Sequence, residues 1–268
     1  MKTDSSSRRY DQRPRDVHAY PSPWGIVYVV EEDGQRSLRF DHEEAADQSV
    51  LELARPEATA LAYVRGAALS LALVPDIKRA LVVGLGGGSF TTLLRRVLPH
   101  AVVESVEIDP VVVDVAQSHF GLVVDRRTPV HVTDAAAFLL STRKSFDLIF
   151  LDAYEGEQIP AHLCTRPFFE AVRARLTPRG VVVMNLATDD ADGLAEVASE
   201  FACAFPSPLR VREPKFGNTL LYGSKSALPA DPSALLSCAR HAQRRYSLPF
   251  SLEEWAAVAT GDDLPLWE

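Results

Sequence analysis

The stretch Ala80-Leu81-Val82-Val83-Gly84-Leu85-Gly86-Gly87-Gly88-Ser89 decides how this chain is read. Its apolar start has the pattern of a parallel strand buried on both faces. Glycines break the run, and Phe90 to Leu98 then carries a helical pattern. Glycine lets the backbone adopt positive φ and come close to a ligand. The helix that follows offers unpaired N–H groups at its N-terminus. Strand, glycine turn and helix start together make a nucleotide-sized binding site.

The spacing narrows the ligand. A dinucleotide fingerprint needs G-x-G-x-x-G, and counting from Gly84 its last position is Ser89. The pattern that fits is G-x-G-x-G, from Gly84, Gly86 and Gly88, the loop expected of S-adenosylmethionine-type folds. A glycine-rich turn alone is weak evidence, so its surroundings must decide.

Downstream, strands and helices alternate. Val102 to Ile108 reads as a second strand, and Val111 to Phe120 as a helix. Val130 to Asp134 and Phe146 to Asp152 are strands that each end on an acid. Arg166 to Leu176 is a helix, Pro178 to Gly180 a turn, Val181 to Leu186 a strand and Leu194 to Phe205 a helix. Leu209–Val211 and Thr219–Tyr222 read as a closing antiparallel pair, and the chain from Asp231 to Glu268 as helical. The pattern predicts a doubly wound, mostly parallel sheet. Ligands of such sheets sit beyond the carboxyl ends of the strands. The glycine loop, Glu107, Asp134 and Asp152 all fall there. Glu107 lies about twenty residues past the loop, where an acid accepts hydrogen bonds from ribose hydroxyls.

Upstream, Trp24 to Val30 and Ser37 to Phe40 flank the turn Glu31-Glu32-Asp33-Gly34 and predict a hairpin. Pro56 opens a helical stretch that Pro75 ends. The expected division is a disordered arm over 1–16, a β-hairpin domain over 17–55, a core over 56–228 and a helical extension over 229–268.

Composition bounds the function. The chain has 268 residues, 47% hydrophobic and 24% charged, with net charge −8. That balance argues against a general nucleic-acid surface and is compatible with a cationic substrate. Cys164, Cys203 and Cys238 show no C-x-x-C, and are read as reduced thiols of a cytoplasmic protein without structural zinc. No signal-peptide core and no membrane-length apolar run is present. No metal, membrane or nucleic-acid partner is expected. His162, the acidic run Asp189-Asp190-Ala191-Asp192 and the aromatics Tyr246, Phe250, Trp255 and Trp267 are read as surface, cap and packing residues.

These motifs resemble the polyamine aminopropyltransferases, or spermidine synthases. That family has a small N-terminal β-domain before a Rossmann-like core of the S-adenosylmethionine-dependent transferase type. Its V-L-x-x-G-G-G-D-G loop, V-E-I-D strand end and D-x-x-D loop have counterparts in Leu81–Ser89, Val106-Glu107-Ile108-Asp109 and Asp152-Ala153-Tyr154-Glu155. The resemblance covers roughly residues 24–225. It implies a seven-stranded core sheet, a homodimer, and decarboxylated S-adenosylmethionine as co-substrate with a small-molecule amine as acceptor.

The resemblance also assigns roles. Gln48 would cover the nucleoside from the β-domain, with Gly84, Gly86, Gly87, Gly88 and Ser89 as the loop. Glu107, followed by Asp109, would hold the ribose. Asp134 and Ala135 would hold the adenine edge. Asp152 would be the catalytic carboxylate, Glu155 the second acid and Tyr63 a wall of the amine pocket. The chemistry needs such groups. Neutralising an amine of pKa about 10.4 at pH 7 costs roughly 4–5 kcal/mol, and a positioned carboxylate can take that proton while the reacting atoms are aligned.

Three departures stand out. Ser89 replaces the loop aspartate, Val64 and Arg65 follow Tyr63 where a polar residue and an acid are usual, and Gly156 replaces a proline. A loop carboxylate would repel the carboxylate of intact S-adenosylmethionine by about 4 kcal/mol at ~4 Å and intermediate dielectric. Its loss, with Arg65 nearby, would weaken selection for the decarboxylated donor. Two alternatives therefore stay open, a methyltransferase and a non-catalytic nucleoside-binding relative. An NAD-dependent oxidoreductase ranks below both.

Overall fold

The structure, a computed structural model, describes residues 15–156, 158–187, 191–213, 217–229 and 231–260. Strands β1 (Asp16–Ser22), β2 (Gly25–Glu32), β3 (Gln35–Phe40) and β4 (Ser49–Glu52) pair antiparallel in that order. Two short helices follow, α1 (Ala62–Ala67) and α2 (Ser70–Leu73). Next come β5 (Arg79–Val83), α3 (Ser89–Val97), β6 (Val102–Glu107), α4 (Pro110–His119), β7 (Val130–Val132), α5 (Ala135–Ser141) and β8 (Phe146–Leu151). The chain continues with α6 (Arg166–Arg175), β9 (Leu176–Leu186), α7 (Ala191–Ala204), β10 (Leu209–Arg212) and β11 (Thr219–Ser224). Helices α8 (Pro232–Tyr246) and α9 (Glu253–Ala257) precede the short β12 (Ala259–Thr260).

The large sheet runs β12-β10-β11-β9-β8-β5-β6-β7. Its five strands from β9 to β7 are parallel, while β11 lies antiparallel between β9 and β10. This is the expected doubly wound fold. The chain works outward from β5 to β7, then returns to the other side of β5 at β8. That reversal opens a crevice at the carboxyl ends of β5 and β8, the switch point where such sheets bind ligands.

Local chemistry sets the strand-to-helix turns. Asp109 caps α4, accepting from Val111 N–H, with Pro110 at the first helical position. Asp134 caps α5, accepting from Ala137 N–H. Helix α3 starts from Gly88 in the left-handed region at φ 76°. Apolar cores fill both faces of the sheet, one around Val82, Phe90 and Phe150, the other around Leu81, Ile149 and Phe169. The small sheet packs Val27, Val29 and Leu38 against Val112, Val115 and Phe120 of α4 and its end.

Several expectations are corrected. The N-terminal unit is a four-stranded sheet, larger than a hairpin. Strand β1 starts at Asp16, inside the arm expected over 1–16; residues 1–14 lie outside the described residues. Its residues are exposed or half-buried along their whole length, so the alternating pattern that betrays a strand is missing. The helix expected from Pro56 begins only at Ala62, because Thr59 takes a left-handed φ of 54°. The turn expected at Pro178–Gly180 lies inside β9, whose pairing with β8 shifts register between Phe146 and Leu148. The expected seven-stranded sheet is present as β5 to β11, and among the described residues the two-residue β12 adds an eighth strand at the edge of β10. The chain after Asp231 is therefore not wholly helical. Asp189, Asp190 and Trp267 lie outside the described residues.

Candidate active site

A cleft of about 480 Å³ opens at the switch point, between the carboxyl ends of β5, β6, β7 and β8 and the small sheet. Gln48, Tyr63, Gly84, Gly86, Ser89, Glu107, Asp109, Asp134, Ala135, Asp152 and Glu155 all line it. Sequence reasoning gathered these residues from distant positions, and the fold brings them to one cavity; Gly87 and Gly88, expected with them, are buried behind the loop and do not line it.

The glycine loop is held from two sides. Glu107 Oε2 accepts the Leu85 N–H at 2.9 Å, and Oε1 accepts the Ile108 and Asp109 N–H groups at 2.8 and 3.1 Å. Burial pushes the Glu107 carboxyl up, against the pull of those three N–H groups. A carboxylate has about four lone-pair sites, so these three donors leave one unfilled. From the small sheet, Ser49 Oγ accepts the Gly87 N–H at 2.8 Å. Gly84 cannot be replaced without movement, because a Cβ there would lie 2.2 Å from the Asp152 carbonyl oxygen. That contact packs the glycine loop tightly against the end of β8.

Asp152 follows β8 and keeps only part of its surface open to the cleft. Burial raises its pKa to about 7, opposed by the Asn185 amide and the Tyr63 hydroxyl. Asn185 Nδ2 donates to Asp152 Oδ1 at 2.8 Å. Tyr63 comes from α1, and burial plus the neighbouring Asp152 charge hold its hydroxyl protonated. A carboxyl poised near neutrality beside a fixed phenol can accept a proton from an amine.

The remaining sites have distinct surroundings. Asp134 Oδ1 caps α5, and its Oδ2 meets His162 Nε2 at 2.9 Å. Burial acts to raise the Asp134 carboxyl, but the Ala137 N–H and His162 outweigh it and hold it low. His162, read from sequence as a surface residue, thus pairs with a site acid and lines the cleft. Asp109 has both oxygens engaged: Oδ1 by the Val111 N–H at 2.8 Å and Oδ2 by Ser22 Oγ at 2.6 Å. That leaves it to brace the rim between the two sheets. Glu155 is exposed at the mouth, in a small bridge with Gln158.

Arg65 is a correction. It lines a second hollow with Ala62, Glu213 and Glu254, and is absent from the wall of the cleft. On α1 it stands two residues after Tyr63, which turns it to the far side of the helix. Ser89 does line the cleft, so of these two departures only Ser89 bears on the donor. Sequence reasoning missed Ser49 and Asn185. Their one legible signal was a polar residue at each of two strand ends, one at the start of β4 and one near the end of β9. Among the described residues, no cluster of three or more His, Cys, Asp or Glu residues could hold a metal, and no helix is long and apolar enough to cross a membrane.

Comparison with known proteins agrees with the motifs. Residues 67–188 match the family model described as "Spermine/spermidine synthase domain". The chain is 33% identical over 174 residues to the polyamine aminopropyltransferase of Vibrio vulnificus (strain CMCP6), covering 63% of this chain and 58% of that one. It is 26% identical over 263 residues to the human eEF1A lysine and N-terminal methyltransferase, covering 93% of this chain and 33% of that one. The chain spans less than two thirds of the length of these relatives. Among solved structures, spermidine synthase from Thermotoga maritima superposes with TM-score 0.71 at 16% identity, over 93% of this chain and 84% of that one, a likeness of fold. Human methyltransferase-like protein 13, solved in complex with SAH, gives TM-score 0.65 at 25% identity, over 77% of this chain and 98% of that one. The stretch from residue 67 to 188 is thus similar to the spermine/spermidine synthase domain, the family the motifs resemble.

Proposed function

We propose that the protein transfers an aminopropyl group from decarboxylated S-adenosylmethionine to a small-molecule amine. One observation carries this reading. Asp41, Glu107, Asp109, Asp134, Asp152 and Glu155 line the cleft, and no Lys or Arg is among its described lining residues. The decarboxylated donor carries a sulfonium and an ammonium and no carboxylate, and the acceptor is a cation until it is deprotonated. Both suit an acidic wall. An intact methionine carboxylate would enter it without a lysine or arginine to meet.

In the reaction, Asp152 takes a proton from the acceptor ammonium. The freed nitrogen attacks the methylene next to sulfur, the N–C bond forms as the C–S bond breaks, and methylthioadenosine leaves with the electron pair. Glu107 holds the ribose, Asp134 and Ala135 face the base, and Tyr63 and Glu155 flank the amine. Gln48 and the small sheet cover the donor. Residues 17–55 then act as a cover domain and 56–228 as the catalytic core, and the extension over 229–268, described as far as Thr260, buttresses that core through α8 and α9. We place the enzyme in the cytoplasm, as a homodimer, in polyamine synthesis. Light scattering of the purified protein tests the assembly.

A second reading is methyl transfer from intact S-adenosylmethionine. Ser89 favours it, since the cleft lacks the loop carboxylate of the aminopropyltransferases. Mass spectrometry of the nucleoside product, after incubation with each donor and a set of amines, separates the two. Methylthioadenosine supports aminopropyl transfer, and S-adenosylhomocysteine supports methylation. Tight donor binding with neither product would leave a non-catalytic relative.

A further inference from the structure

We infer that Asn218 is a positioning residue for Asp152, acting through the side-chain amide of Asn185. The inference rests on reading Asp152 as the proton acceptor. Asn185 is 3% exposed, near the carboxyl end of β9. A primary amide has two unlike ends. With its nitrogen toward Asp152 it donates, as it does here at 2.8 Å. Turned over, it would set its carbonyl oxygen against a carboxylate and repel it.

Asn218 selects the first orientation. Its Nδ2 donates to Asn185 Oδ1 at 2.9 Å, which anchors that oxygen on the side away from Asp152. Asn218 stands just before β11, the antiparallel neighbour of β9, where Thr219 lies opposite Leu186. Its main chain is pinned as well, because its carbonyl accepts the Glu213 N–H at 2.8 Å. Two amides in series thus aim their donors one way, from β11 through β9 to the carboxylate after β8. With Oδ1 held by Asn185, the carboxylate is fixed in rotation beside the Tyr63 hydroxyl, which also bonds it.

The experiment titrates the Asp152 carboxyl directly, by NMR of protein carrying carbon-13 aspartate, with the resonance identified by its loss in Asp152→Asn. Removing a donor to a charged acceptor disfavours the charged form. Asn185→Ala should raise the midpoint by roughly one unit, and Asn218→Ala by on the order of half a unit. In the Asn185→Ala background, Asn218→Ala should add nothing, because its path is gone. If Asn185→Ala does not fold, Asn185→Ser takes its place. The acid limb of kcat/KM should move with the midpoint in Asn218→Ala while donor affinity stays put. An unmoved midpoint in Asn218→Ala, or a shift that survives without Asn185, overturns the inference. The titration reads Asp152 whether or not transfer occurs, so an inactive wild type would count against the proposed function alone.

Discussion

Ser49 Oγ accepts the Gly87 N–H at 2.8 Å, which bonds a strand of the small sheet directly to the glycine loop of the large one. Both residues are shut away from solvent, and the space is tight: a Cβ on Gly86 would lie 2.7 Å from the same oxygen. Ser49→Ala leaves a buried N–H without a partner, at a cost of about 1–3 kcal/mol. We expect a lower melting temperature and roughly tenfold weaker binding of methylthioadenosine by calorimetry. Unchanged affinity would mean that the loop keeps its shape without the small sheet.

Gly84 sets a sharper test. It has φ +86°, and a Cβ there would meet the Asp152 carbonyl oxygen at 2.2 Å. A side chain at such a φ costs roughly 1–2 kcal/mol before any clash is counted. Gly84→Ala should therefore displace the end of β8 and abolish donor binding. Gly34→Ala is the control. Gly34 has φ +78° with nothing within 4 Å of its Cβ, so only the conformational cost applies. Equal loss of melting temperature in the two variants would refute the close-packing argument.

The carboxyl of Asp152, raised to about 7 chiefly by burial, links activity and stability to pH. Transfer needs the ionised form, so kcat/KM should fall about tenfold per unit as pH drops below 7. Stability runs the other way. Between the ordinary value of 3.8 and about 7, the folded protein holds a proton that the unfolded chain has released, so this group makes stability decline as pH rises. Asp152→Asn should melt higher than wild type at pH 8, by the equivalent of on the order of 2–4 kcal/mol. Near pH 4 it should show little gain, and it should be inactive at both. Melting curves and initial rates across pH 4 to 9 check all of this.

Glu104 of β6 is wholly buried, with Oε1 2.8 Å from Arg79 and Oε2 2.6 Å from Lys144 and 2.8 Å from His131. Burial acts to raise its pKa, but Lys144, His131 and Arg79 together hold it below 4.5. Its stabilising effect is complete above that value and is lost as pH falls through the lower folded one. Glu104→Gln leaves the cations without a counter-charge and should cost about 3 kcal/mol at pH 7. The gap to wild type in thermal melting should narrow as the pH falls below 4.5. A constant gap would point to packing instead of charge.

Much of the site was legible in order along the chain. The glycines from Gly84 to Gly88, then Glu107, Asp134 and Asp152, each end an apolar run, although an acid between strand and helix also reads as a helix cap, a role Asp134 takes as well. Arg65 was misjudged because nearness in sequence is not nearness in space. Two residues along a helix put it on the side opposite Tyr63. Strand β1 was invisible because neither of its faces is fully buried, and burial is what writes alternation into a strand.

Periodicity and strand-end acids alone established a doubly wound sheet with an acid-lined edge, since apolar spacing and helix caps act between neighbours in the chain. Tertiary structure alone decided which polar groups meet. Ser49 reaches Gly87, His162 reaches Asp134, and Asn218 reaches Asn185 only after strands far apart in sequence are laid side by side. A side-chain hydrogen bond depends on positions a few tenths of an ångström apart, and no local pattern encodes those.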